Sequence, residues 1–423
     1  MPKVREIVSL DIGNDSIKGI VVDYSEGYGN VVAFSNVKTR GIESGEIKDV
    51  VALNESMNQI IEDLEEQTEK ELKGDLLVSS SCGDFTLTEL TEELFLNEKE
   101  ENYISEEHVN KLTDNLLSDV FQSNEKNSLH LFVKKYVLDD TKIVVNPIGM
   151  KAKKVAAVYT IVMGNESYKN VVEYATKDIL GEAEYYISFI STAEAVLSNV
   201  EKDRGVLHVD LGYNTTSVTL YYANTPLELQ RMDIAMKNVI RDIAVVLKTS
   251  IQEAERLLRT YGIAMFMDVE PTPVEYKGLD GRSLQRTNKE FLSRIIYARL
   301  REIFMKVKKV YKDITIKYPE FSDIGIPGGI VLTGGGAMLQ RVESLAGEVF
   351  RCPVRIGILS DLEKFQFEED SAVSTTLFAP VFGNILVYQK EQNVYSPLIS
   401  EKSRKQSPGF FKKISDAFGK IFG

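Results

Sequence analysis

Two stretches about 200 residues apart constrain this chain more than anything else in it: VSLDIGNDSIKGIVV (8–22) and LHVDLGYNTTSVTLY (207–221). Both run apolar–Asp–apolar–Gly, then two variable residues, then Ser or Thr, and each reads as strand, tight turn, strand. A strand–turn–strand unit that occurs twice, each time with an aspartate at the strand end, predicts two similar α/β domains facing each other across a cleft. At 423 residues the chain is also too long for a single core.

The turns carry specific chemistry. Gly13 and Gly212 let the backbone approach an anion closely, and the N–H groups of Asn14, Asp15, Ser16, Tyr213, Asn214, Thr215 and Thr216 would line phosphate-binding nests. Asp11 and Asp210 would hold Mg²⁺ through its waters, because Mg²⁺ gives up its hydration shell reluctantly. Lys18 would reach a phosphate as a point charge. A third element, GIVLTGGGAML (329–339), is a strand ending in Gly334, Gly335 and Gly336, followed by Ala337, where an adenine ring would lie flat against backbone.

Composition narrows the class. Hydrophobic content of 43% and charged content of 27% are globular values, and a net charge of −13 argues against nucleic acid as a partner. Cys82 and Cys352 have no metal-ligand spacing and fit a reducing compartment. The early apolar run IVSL is cut by Asp11, and no run approaches spanning length, so a cytoplasmic protein with at most peripheral membrane contact is expected.

Along the chain, 49–72 reads as an acidic amphipathic helix and GDLLVSSSCG as the strand after it. Residues 84–163 form a charged candidate insertion with short strands and a helix from about Ser105. Residues 168–200 read as helix, strand, helix; 235–262 and 288–312 read as helices around a Pro- and Gly-containing loop; 390–409 has no buried pattern and reads as a flexible linker.

The run SPGFFKKISDAFGKIFG (407–423) has a different character. On a helix, Phe410, Phe411, Ile414, Ala417, Phe418, Ile421 and Phe422 share an arc of about 140°, while Lys412, Lys413 and Lys420 fall on the rest of the circle. It is too short to span a bilayer and suits a helix lying in the headgroup plane. From Ser400 onward, Lys402, Arg404, Lys405, Lys412, Lys413 and Lys420 outnumber Glu401 and Asp416, a basic end on an acidic protein. Burying the six large apolar side chains would bring on the order of 10 kcal/mol if complete, and about half that at an interface. One such tail binds reversibly; an array of them on a polymer holds firmly by effective concentration.

The two Asp turns and the Gly-rich loop together resemble the actin-like ATPase superfamily of actins, heat-shock chaperone ATPases and sugar kinases. Within it, SNVKTRGIESGEIKDV (35–50), LHLFVKKYVLDDTKIVVNPIGMKAKKV (129–155), VVLKTSIQEAERL, IIYARLREIF (295–304) and GIPGGIVLTGGGA are similar to stretches of the FtsA family of bacterial division proteins, over essentially the whole chain. The resemblance implies two related α/β domains around an ATP–Mg²⁺ cleft. Subdomain IA would lie at 1–83, 164–196 and 358–389, and the inserted IC at 84–163. IIA would lie at 197–233 and 310–357, IIB at 234–309, a linker at 390–407 and a membrane helix at 408–423. STAEAVLSNV (191–200) would be the interdomain helix, with Glu194 positioning the attacking water beside Asp210. On SIQEAERLLRTYG (250–262), Glu255 would meet the ribose and Arg259 the base. The implied partners are further copies in a filament, anionic lipid, the C-terminal peptide of FtsZ, and other division proteins at the inserted subdomain. Arg294, Arg299 and Arg301 of IIB would receive that acidic, apolar peptide. Tyr213, with Asn14 and Asn214, is bulkier than the family pattern in these turns, which favours ATP binding over fast hydrolysis. The alternatives are a PilM-like pilus assembly protein, which lacks such a tail, and a small-metabolite kinase, for which no acceptor site is marked.

Overall fold

The computed structural model describes residues 5–25, 27–96, 103–122, 128–176, 183–321, 325–359, 362–367 and 375–395. The membrane-facing set read from the sequence, Phe410, Phe411, Lys412, Lys413, Ile414, Phe418, Lys420, Ile421 and Phe422, lies outside the described residues. Among those described, no helix is long and apolar enough to cross a membrane.

The chain divides into two compact units, Met1–Gly83 with Ser167–Val196 and Ile358–Gly423, and Asp84–Glu166 with Leu197–Gly357. The first is built on a six-stranded sheet in the order Ala183–Ile187, Asp75–Ser80, Arg5–Ile12, Ser16–Ser25, Tyr28–Lys38, Phe365–Gln366. Arg5–Ile12 runs antiparallel to Ser16–Ser25 and parallel to Asp75–Ser80. Ile7, Val8, Leu10 and Ile12 are all buried, as in a strand covered on both faces. One covering helix, Val50–Thr68, starts where the Asp49 side chain accepts from Ala52 N at 3.1 Å. Helix Ala379–Tyr395 packs on helix Ser188–Val196 so closely that a Cβ on Gly383 would stand 1.8 Å from the Ser191 carbonyl oxygen. That helix extends through Lys390–Tyr395, which the sequence reading gave to the linker. The segment KEQNVY holds no Gly or Pro, and the first breaker is Pro397.

The second unit repeats the plan. Its sheet runs Thr225–Met232, Thr216–Tyr222, Val206–Leu211, Ile330–Thr333, Val354–Ile356, again an antiparallel hairpin with a parallel neighbour. Helices Met236–Leu247, Ile251–Tyr261, Lys289–Lys317 and Val342–Phe350 share one core with it, including Val209, Leu211, Val239, Ile296 and Phe304. The stretch between two of these helices, read as a plain loop, contains the hairpin Pro273–Lys277 with Leu284–Asn288. Residues of the inserted segment form a separate four-stranded sheet, Phe85–Phe95, Lys154–Gly164, Ser128–Leu138, Lys142–Val144, with helix Glu106–Gln122. This module has its own core, in which Leu112, Leu116, Val155, Tyr159 and Ile161 are buried.

Candidate functional site

The two repeated turns are superimposable in their bonding. Gly13 N donates to Ser16 O at 3.1 Å, and Gly212 N donates to Thr215 O at 3.1 Å. At either glycine a Cβ would fall 2.9 Å from that same carbonyl oxygen, so neither turn admits a side chain there without moving. Each aspartate sits opposite a hydroxyl on the parallel neighbour: Asp11 pairs in register with Ser79, and Asp210 with Thr333. Both hydroxyls donate to their aspartate, Ser79 Oγ to Asp11 Oδ1 at 3.0 Å and Thr333 Oγ1 to Asp210 Oδ1 at 3.1 Å.

The halves differ across the hairpin. Opposite Asp11 stands Lys18, whose Nζ donates to Asp11 Oδ2 at 3.0 Å; opposite Asp210 stands Ser217. Ser188 Oγ also donates to Asp11 Oδ1, so a carboxylate only 3% exposed is held by one cation and two hydroxyls. Around the first turn, Thr39 Oγ1 donates to Gly13 O at 2.7 Å, Gly45 N to Asn14 Oδ1 at 2.8 Å, and Lys38 pairs with Asp15. Around the second, Met236 N and Lys237 N donate to the carbonyls of Gly212 and Tyr213, and Thr216 Oγ1 donates to Ile234 O at 2.7 Å.

His208 completes the second site. Its Nε2 lies 2.8 Å from Thr333 Oγ1, and because that hydroxyl spends its proton on Asp210, the histidine is the donor. Burial, with a smaller push from the Arg355 charge, lowers its pKa to about 3, so the ring is neutral at physiological pH.

The Gly-rich loop follows the same strand. Gly334 takes a φ of 80°, and a Cβ there would stand 2.8 Å from Asp210 Oδ1. Around Gly335 nothing lies within 4 Å of where a Cβ would be, a flat, open backbone surface, while Gly336 and Ala337 are buried. Taken unit by unit, each holds a turn too tight for a side chain beside an anchored carboxylate, and the second adds an open glycine, features of the kind that admit a phosphate or a flat ring against backbone. Among the described residues no cluster of three His, Cys, Asp or Glu forms a metal cage. Mg²⁺ bound by one or two carboxylates with water and phosphate needs none.

Other expected site residues are engaged within their own units. Glu194 is ion-paired with Lys390. Arg259 and Glu255 pair with each other at 2.8 Å on helix Ile251–Tyr261. Arg299 forks onto both carboxylate oxygens of Asp242 and also reaches Glu302. Arg294 pairs with Glu290 at 2.7 Å and lies over the Phe266 ring at 4.6 Å, and Arg301 is exposed on the same helix. Sequence reading missed Ser79, Ser188, Thr333, His208 and Asn384. The signal for Ser79, His208 and Thr333 was a polar residue inside an apolar strand, as in LLVSSSCG and GIVLTGGG, while Ser188 and Asn384 interrupt apolar runs that form helices.

Comparison with known proteins bears on the family and the fold. A family model described as "Cell division protein FtsA" matches residues 207–382, and one described as "SHS2 domain inserted in FTSA" matches 91–163, between them more than half of the chain. Relatives include the cell division protein FtsA of Borreliella burgdorferi, 28% identical over 410 residues and 95% of each chain. Another is that of Enterococcus faecalis, 26% identical over 84% of this chain and 79% of its own. Among solved structures, the PilM–PilN type IV pilus biogenesis complex covers 90% of this chain and 98% of its own at TM-score 0.59 and 14% identity. MreB5 of Spiroplasma citri bound to AMPPNP covers 94% and 100% at TM-score 0.53 and 12% identity. The fold is therefore actin-like, with an SHS2 insertion.

Proposed function

Since the chain belongs to the FtsA family of actin-like cell division proteins, we propose that it binds ATP with Mg²⁺, self-associates on the inner face of the cytoplasmic membrane, and tethers FtsZ filaments there at the division septum. When bound, Mg²⁺ supplies positive charge that neutralises the β- and γ-phosphates. Asp11 and Asp210 orient its water ligands, and the turn amides of 13–16 and 212–216 cradle phosphate oxygens. Lys18 adds a point charge. Gly334–Ala337 offer backbone to the base, with Glu255 and Arg259 at the nucleoside. Glu194 holds the attacking water once its ion pair with Lys390 opens.

Membrane residence rests on Phe410, Phe411, Ile414, Phe418, Ile421 and Phe422 below and Lys412, Lys413 and Lys420 above, made firm by the number of tails on a filament. The FtsZ C-terminal peptide binds within 234–309, where Arg294 and Arg301 supply charge. The observation that carries the reading is the matched register of Asp11 with Ser79 and Asp210 with Thr333, one rigid carboxylate turn in each unit. Sedimentation with anionic liposomes, with and without ATP and FtsZ, tests it. ATP-dependent pelleting that carries FtsZ into the lipid fraction is expected, and nucleotide-independent behaviour with FtsZ left in solution overturns it. The pilus-assembly alternative shares the fold, but both family models that match are those of FtsA.

A further inference from the structure

Asn384 lies in the middle of helix Ala379–Tyr395 and is fully buried. Its Nδ2 is 3.1 Å from Ser79 Oγ, 3.1 Å from Leu10 O and 3.2 Å from Ser9 Oγ. The amide orientation is forced, because Leu10 O can only accept and Ser9 spends its proton on Val381 O at 2.7 Å. The other end of the amide, Oδ1, has no hydrogen-bond partner. A core that needed only to be filled would take leucine here and leave no orphaned acceptor. The amide's contribution is directional: by donating to Ser79 it holds that oxygen so that the serine proton points at Asp11 Oδ1.

The repeat supplies an internal comparison. In the second unit His208 occupies the position that Ser9 occupies in the first, and donates directly to Thr333, the partner of Asp210. The small Ser9 cannot do this, and Asn384 reaches in from a separate helix to do the same work for Ser79. The helix that supplies it is clamped to Ser191 through Gly383 and paired through Lys390 to Glu194. The clamped partner helix begins at Ser188, which donates to Asp11 as well. The Asp11 carboxylate is thus fixed against helix Ala379–Tyr395 by two routes.

We infer that Asn384 is a positioning residue for Asp11, and that through it nucleotide occupancy is felt by helix Ala379–Tyr395, the element that precedes the linker and amphipathic run in sequence. This rests on the nucleotide reading above. The test uses the full chain, with ATP and Mg²⁺ as ligand. Affinity is measured by titration, amide hydrogen exchange is followed over residues 382–387, and thermal unfolding is recorded in parallel. Wild type is expected to bind Mg²⁺–ATP and to slow exchange in that helix several-fold.

Asn384→Leu, which loses no volume and removes the orphaned acceptor, is expected to keep its unfolding temperature. It should weaken Mg²⁺–ATP binding about tenfold and abolish the nucleotide-dependent slowing. Ser79→Ala, which leaves Asn384 bonded to Ser9 and Leu10, should do the same, and Ser79→Thr should restore both. If both deletions bind like wild type and their helix still responds to ATP, the inference is overturned and the nucleotide reading stands. If wild type binds no ATP, both fall. Should Asn384→Leu fail to fold, Ser79→Ala against Ser79→Thr decides the matter.

Discussion

Glu194 is ion-paired with Lys390, which ties helix Ser188–Val196 to helix Ala379–Tyr395 inside the first unit. In the water-positioning role proposed above, Glu194 must first leave this partner, so the pair would act as a brake on turnover. Glu194→Gln is expected to lower phosphate release about a hundredfold with ATP affinity held within about threefold. Lys390→Ala is expected to raise turnover. Steady-state phosphate release beside a nucleotide titration checks this. Unchanged rates with lowered unfolding temperatures in both variants would mark the pair as a simple staple.

His130 predicts an acid limb in the stability of the second unit. Burial lowers its pKa to about 3, against about 6.5 in an unfolded chain. Between those values the unfolded state binds a proton that the folded state refuses, so stability falls as pH falls from 6.5 towards 3, by up to about 1.4 kcal/mol per pH unit. Urea unfolding from pH 7 to pH 4 measures the slope. His130→Leu should flatten it by one proton's worth and leave nucleotide binding alone.

Arg299 and Arg301, both expected from the sequence at the peptide site, separate by what already holds them. Arg299 is committed to Asp242 and Glu302, and Arg299→Ala should cost about 1–3 kcal/mol of stability. The exposed Arg301 should behave oppositely: Arg301→Glu is expected to keep the unfolding temperature and weaken capture of an FtsZ tail peptide about tenfold. Pull-down and thermal unfolding of both variants distinguish them, and equal loss of capture in the two would reject the assignment.

The amphipathic run makes the last prediction. Phe411→Glu combined with Phe418→Glu puts two charges on the apolar arc, and vesicle flotation should show release from anionic lipid with ATP affinity unchanged. A double variant that still floats removes the tether.

The repeated hairpins were legible in the sequence because strand alternation, Asp and Gly all fall within one short window. The positions of Gly13, Gly212 and Gly334 followed from backbone requirements that few other residues meet. What holds the aspartates was not legible. Ser79, Ser188 and Asn384 come from three elements scattered along the chain, and their hydroxyl or amide groups interrupt apolar runs without any period. Lys18 was read as a phosphate ligand from its charge; the structure adds that it neutralises Asp11, a pairing set by the hairpin register. The linker was read as starting at Lys390 because that segment shows no buried pattern, although KEQNVY contains nothing that stops a helix.

The way the first unit is pieced together has a consequence for biosynthesis. Its sheet begins with Arg5–Ile12, yet the helix that buries Asn384 against that strand arrives only at Ala379–Tyr395. Meanwhile the second unit's sheet and the inserted module each close within a single continuous segment of the nascent polypeptide. On the ribosome the apolar strands Arg5–Ile12 and Ser16–Ser25 therefore wait, half-covered, while more than three hundred residues are added behind them. During that interval the growing chain would expose the most apolar surface for a holding chaperone to cover.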